Sequence, residues 1–200
     1  LRHNLPNHQK QVLFFSDRLP PLTGGVEMHA RYFIEHFSRH PLYPLAGIIT
    51  KNSQMQDCVV TSTGLRPCDF GLYDPAVVFF NSGRWIEELP HIRAQFPHAV
   101  FIYRTGGNEI LQAPLSRHTI PNHSERQRFW AQNINTAVDI LITNSDYTER
   151  RLREVGIECR FELFVGVVNA AKIQQFRPKT HSENEKSLFC AARFVPYKNH

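Results

Sequence analysis

The sequence predicts an α/β protein built on a Rossmann-like open parallel sheet with helices on both faces. Short apolar runs of strand length recur along the chain, and several are continuous rather than alternating, as in strands buried on both sides. Stretches with helical spacing of apolar residues lie between them, and regular alternation of strand and helix is the pattern of an open α/β sheet. The first run leads through a glycine-containing loop into a helix, which makes the opening segment a β–loop–α unit.

The elements follow in order. Residues 11–16 (QVLFFS) form the first strand, and a proline-rich loop through Pro20 and Pro21 carries the chain to Gly24 and Gly25. From Val26, the side chains of Val26, Ala30, Phe33, Ile34 and Phe37 share one helical face, and Pro41 requires the helix to stop before it. Further strands are expected at 45–50, 58–61, 76–81, 99–103 and 138–143, all read as buried and parallel. Helices are expected over 124–137 and 146–155. The second of these has Ser145 as N-cap, Thr148, Leu152 and Val155 on its inner edge, and Gly156 just past its end. A last strand is expected at 161–165. Residues 177–186 (RPKTHSENEK) are polar and aperiodic and read as a linker. The expected organisation is therefore a first domain over 1–176, a linker over 177–186, and over 187–200 the start of a second domain, opened by the strand-like SLFCAA.

Composition narrows the function classes. With 42% hydrophobic residues and 15 Phe in 200 residues, the chain can bury a substantial core, which argues against disorder. No apolar run approaches the roughly 18 residues needed to cross a bilayer, and the first residues carry no basic-then-apolar leader, so the expected location is cytoplasmic. Cys58, Cys68, Cys159 and Cys190 are scattered without zinc-ligand spacing and read as reduced structural thiols, so neither a metal nor a disulfide is assigned. The net charge of +5 suits an anionic partner, a phosphate or an acidic membrane surface. The charges are dispersed and form no dense basic stripe, which argues against nucleic acid.

Two segments carry the candidate chemistry. At 23–27, Gly24 and Gly25 would let a ligand approach the backbone where a helix N-terminus offers free N–H groups; the alternative is a tight turn that Glu27 closes. Neither GxGxxG nor GxxxxGK[ST] is present, which demotes a dinucleotide cofactor and ATP hydrolysis. The second segment, Arg104, Thr105, Gly106, Gly107, Asn108 and Glu109, follows a strand and should line the same crevice, beyond the carboxyl ends of parallel strands. Arg104 stays protonated at neutral pH, so it would bind an anionic group or steady a leaving phosphate rather than act as a base. Glu109 could orient a hydroxyl group, and His29 could face either the cleft or the sheet. The basic stretch 116–128, with Arg117, His118, His123, Arg126 and Arg128 beside Phe129 and Trp130, reads as a solvated helix face or as a contact for anionic lipid.

Four landmarks in order resemble family 4 glycosyltransferases. Gly24-Gly25-Val26-Glu27 with His29 is similar to the family's GGVExH opening, and Asn144-Ser145 with Thr148 and Leu152 is similar to its strand-to-helix junction. Gly166-Val167 with Phe176-Arg177-Pro178 is similar to the segment leading to the interdomain linker, and Arg193 with Lys198 to the RxxxxK pair that opens the donor domain. The position where many members carry His-Gly holds Arg104 here.

The resemblance implies the N-terminal half of a GT-B fold. It also implies a retaining transferase that moves a sugar from a nucleoside-diphosphate sugar to a glycan or lipid-linked acceptor, in bacterial surface polysaccharide synthesis, with no cofactor or metal. Arg104 and Glu109 would then be catalytic, and Gly24, Gly25, Arg193 and Lys198 would hold the donor diphosphate. Glu27, His29, Gly106, Gly107 and Asn108 would hold the acceptor, and contact with the inner face of the membrane would be peripheral. The family's paired glutamates would lie beyond His200, so these 200 residues alone are expected to be inactive. The alternatives are a non-catalytic carbohydrate-binding α/β module and a GT-B-like sugar-nucleotide epimerase or phosphorylase.

Overall fold

The structure, a computed structural model, describes residues 10–21, 24–105, 108–111 and 123–164, the side chains of 108, 109, 123 and 124 excepted. At its centre, β1 (Val12–Phe15) pairs in parallel with β2 (Leu45–Lys51) on one side and β5 (Val77–Phe80) on the other. Beyond β5 follow β6 (Val100–Arg104), β7 (Ile140–Thr143) and β8 (Arg160–Leu163), all parallel. Beyond β2 lie β3 (Asp57–Thr61) and β4 (Gly64–Pro67), and the eight-stranded order is β4-β3-β2-β1-β5-β6-β7-β8. This is the open α/β sheet the sequence predicts.

One expected strand runs the other way. Residues 58–61 are read from sequence as a buried parallel strand, but β3 is antiparallel to β2 and to β4. The loop between β2 and β3 is too short for the crossover that parallel pairing needs, so the chain turns straight back. Gly64, at φ +119°, opens β4, a strand whose residues are all exposed and whose sequence GLRP carries no apolar run. Burial is what makes a strand visible in sequence, and β4 has none.

The two faces of the sheet bury different cores because side chains alternate along each strand. On one face Leu13, Phe15, Val78, Phe80, Phe101, Tyr103 and Leu141 meet α2 (Leu89–Gln95), α4 (His123–Ala137) and α5 (Asp146–Glu154), and this is the larger core. On the other face Val12, Phe14 and Phe79 meet Ala30 and Phe33 of α1 (Gly25–Phe37). The short α3 (Asn108–Leu111) contributes Ile110 to the larger core. Helix α5 is capped as expected: Ser145 Oγ accepts from Thr148 N–H at 3.1 Å, and Gly156 takes φ +91°, the left-handed conformation of a helix-ending residue.

The expected linker at 177–186, the strand-like 187–192 and the last residues of the expected first domain lie outside the described residues. Among the described residues no helix is long and apolar enough to cross a membrane.

Candidate functional site

The chain runs from β1 to β2 on one side of the sheet centre and returns to β5 on the other, so the carboxyl ends of β1 and β5 flank a topological switch point. In open α/β sheets that is where ligands bind. The strand register pairs Phe15 with Phe80, and Asn81 N–H continues the ladder onto Phe15 C=O at 2.9 Å. Ser16 and Asn81 therefore stand side by side one residue past the paired phenylalanines, and alternation turns both toward α1.

Asn81 is the hub of this corner. It is 1% exposed, and its amide nitrogen donates to Ser16 Oγ at 3.2 Å and to the Val26 carbonyl at 3.0 Å, tying β5 to β1 and to the first turn of α1. Its amide oxygen accepts from the Arg104 guanidinium at 3.4 Å. Ser16 Oγ in turn donates to the Arg18 carbonyl at 2.9 Å. Asn81, tied to β1 and to the start of α1, thus gives the Arg104 guanidinium at the end of β6 a hydrogen bond.

His29 lies on the sheet side of α1. Its ring stacks on Phe79, with centroids 6.0 Å apart and planes 17° apart, and its Nδ1 is buried without a partner. The imidazole pKa is lowered to about 4, chiefly because burial removes water from the charged ring and also because the Arg104 charge is near; a hydrogen bond with Asn81 opposes both. His29 is therefore neutral at physiological pH, and the positive charge of the corner belongs to Arg104.

The start of α1 is less open than two glycines suggest. Glu27, 5% exposed, folds back over the N-terminal turn, and a Cβ at Gly24 would come within 2.3 Å of its carboxylate oxygen. The space that Gly24 leaves is filled by the protein's own anion, in the position of a capping-box glutamate. Arg18 offsets that charge, with its guanidinium 3.3 Å from the Glu27 carboxylate. Gly25 has open space around its Cβ direction.

Beside this corner an apolar cavity of about 390 Å³ runs along the sheet under α1, lined by Phe33, Phe37, Phe79, Ile102, Ile142 and His29 among others. His29 borders both the cavity and the polar cluster.

Arg104, Glu27, His29, Gly24 and Gly25 lie around this corner. Asn108 and Glu109 begin α3, but their side chains lie outside the described residues, as do Gly106, Gly107, Arg193 and Lys198. Sequence reasoning misses Ser16 and Asn81 because each reads as the tail of an apolar strand. The available signal is a polar residue that ends a buried run on the carboxyl side. It also misses Lys51, whose buried ammonium lies 2.6 Å from Glu88 and 3.1 Å from Asp57, locking β2, β3 and α2's entry together. In the basic stretch, Arg126 is engaged by Glu87 at 2.9 Å and lies over Trp130, and Phe129 is half exposed. The Arg126 and Trp130 hydrogen bonds hold the Glu87 carboxyl below its ordinary pKa. Burial raises the thiols of Cys68, to about 12, and Cys159, to about 11, which leaves both protonated and unreactive. Among the described residues no group of three or more His, Cys, Asp or Glu could hold a metal ion.

No protein family and no curated protein matches the chain by sequence. Among solved structures it is similar to a protein of Bacteroides thetaiotaomicron assigned provisionally as a phosphomethylpyrimidine kinase. The two are 10% identical with a TM-score of 0.38, over 84% of this chain and 57% of that one, so the chain spans under two thirds of that structure. At that level the likeness transfers no function. These comparisons correct the resemblance to family 4 glycosyltransferases: no family model and no curated protein of that family matches the chain, and the solved structure named above is assigned as a kinase, not as a sugar-nucleotide transferase. The glycosyltransferase activity, its enzyme class and the polysaccharide pathway are withdrawn with it. The physical reason lies in what the first two landmarks do. Gly24 and Glu27 shape a helix start, while Ser145, Asn144 and Thr148 cap another, with Thr148 Oγ1 donating to Asn144 Oδ1 at 3.0 Å. Such caps serve any open α/β sheet. The remaining landmarks lie outside the described residues.

Proposed function

We propose that this chain binds a small organic oxyanion, a phosphate or carboxylate group, at the carboxyl ends of β1, β5 and β6. The observation that carries the reading is the Arg104 guanidinium fixed by Asn81, itself held by Ser16 and the Val26 carbonyl at the switch point. A guanidinium held in place before binding loses little freedom on meeting an oxyanion, and its planar fork suits phosphate and carboxylate oxygens. Neutral His29 and the ion pair between Arg18 and Glu27 support the same reading, because they leave the corner without an uncompensated negative charge from α1. The overall charge of +5 favours the approach of anions.

Calorimetric titration of the chain with inorganic phosphate tests the proposal. Saturable binding to one site, weakening as sodium chloride is raised, is the expected result. Heats no larger than dilution for phosphate, sulfate and citrate alike would remove the proposal.

A further inference from the structure

Four buried side-chain atoms among the described residues have no hydrogen-bond partner: Asp17 Oδ1, His29 Nδ1, Ser82 Oγ and Thr143 Oγ1. More than about 90% of buried polar groups are paired in folded proteins, and one left unpaired bears its desolvation cost uncompensated. These four are not scattered. Asp17 and Ser82 each lie two residues past the paired Phe15 and Phe80, Thr143 ends β7, and His29 lies beside Asn81. All stand at the carboxyl edge of the sheet.

Asp17 and Ser82 form the informative pair. They follow adjacent strands, and the turn after β5 folds against Asp17, bringing Arg84 Nε to 3.9 Å from its other carboxylate oxygen. That separation is too long for a hydrogen bond, and Arg84 is 51% exposed, so the carboxylate has little support from the protein. A carboxylate only accepts, so Asp17 requires a donor; a serine hydroxyl can donate and accept. A ligand hydroxyl group that donates to Asp17 Oδ1, and one that accepts from Ser82 Oγ, would satisfy the two atoms.

We propose that Asp17 and Ser82 form a hydroxyl-reading subsite beside the anion site, so that the ligand is an oxyanion that also carries hydroxyl groups, as a phosphorylated polyol does. The inference rests on the anion site around Arg104. Asp17 and Ser82 directly follow Ser16 and Asn81 in the chain, just past the ends of β1 and β5. A ligand lying across the edge meets the guanidinium with its anionic group and the two orphaned oxygens with its hydroxyls. Asp17 also repels a bare anion, so the pair selects for ligands that bring a donor.

The test compares glycerol 3-phosphate with n-propyl phosphate by calorimetry, since the two differ only in hydroxyl groups. Glycerol 3-phosphate is expected to bind about tenfold to a hundredfold tighter, the range of one or two hydrogen bonds to a charged group. In Asp17→Asn and in Ser82→Ala the preference shrinks severalfold, while propyl phosphate binds no more weakly than to the parent protein. Because neither Ser82 Oγ nor Asp17 Oδ1 has a partner in the fold, neither variant lowers the thermal midpoint, which separates ligand reading from a structural role. Equal binding of the two phosphates, or a preference that survives both substitutions, overturns the subsite and leaves the anion site standing. Binding of neither overturns the anion site and the subsite with it.

Discussion

Replacing Trp85 with alanine is expected to cost about 3–5 kcal/mol of folding stability, read as a lowered urea midpoint with an unchanged slope. Trp85 is fully buried in the short helical turn after Ser82, edge-on to Phe15 with ring centroids 5.4 Å apart, within the larger core. Its indole N–H donates to Asp57 Oδ1 at 2.7 Å, and the Lys51 ammonium lies 5.7 Å from its ring. Truncation therefore opens a cavity and removes the link between the β2–β3 hairpin and the turn that carries Ser82 and Arg84. Trp85→Phe keeps most of the volume and loses mainly the hydrogen bond, so about 1–2 kcal/mol is expected for it. A cost for Trp85→Ala within 1 kcal/mol of zero would show that the core packing described here is wrong.

Arg104→Ala is expected to weaken phosphate binding about tenfold to a hundredfold, since a charge-assisted contact contributes about 1.5–3 kcal/mol. The same variant has a second readout. His29 in the parent protein titrates at about 4, held down first by burial and second by Arg104. Removing the guanidinium removes only the second cause, so the imidazole pKa rises but stays below its ordinary 6.5. The linkage sign follows. The unfolded chain takes up this proton first as pH falls, so the contribution of neutral His29 to stability is complete above about pH 6.5 and is lost as pH falls from there through about 4. In Arg104→Ala that loss is smaller, because the two states then differ less in proton affinity. Proton NMR of the imidazole across the acid range measures the shift directly, and an unmoved His29 would place Arg104 too far away to matter.

Much of the fold was legible because its strands are apolar and buried. β1, β5, β6 and β7 are continuous hydrophobic runs, and helices α1 and α5 announce themselves by a shared apolar face or a serine cap. β4 and the antiparallel turn of β3 were not legible, since an exposed GLRP edge carries no burial signal. In the site, Arg104 stood out as a charge closing an apolar strand. Asn81 and Ser16 did not, because their importance comes from register between strands distant in sequence, which no local pattern encodes. The family resemblance misled for a related reason. Its glycine, glutamate and capping-serine landmarks report how helices begin after strands, and those local rules are shared by sheets that do unrelated chemistry.

The central claim is that an oxyanion binds against Arg104 at the switch point, and His29 is the natural reporter because it already responds to that charge. The measurement is the pKa of the His29 imidazole by NMR in phosphate and in sodium chloride of equal ionic strength. A bound oxyanion offsets the guanidinium charge, so the account predicts that phosphate raises the His29 pKa above about 4, saturably and only while Arg104 is present. The same pKa in both salts, at phosphate levels where calorimetry shows the protein saturated, would mean that the anion binds elsewhere.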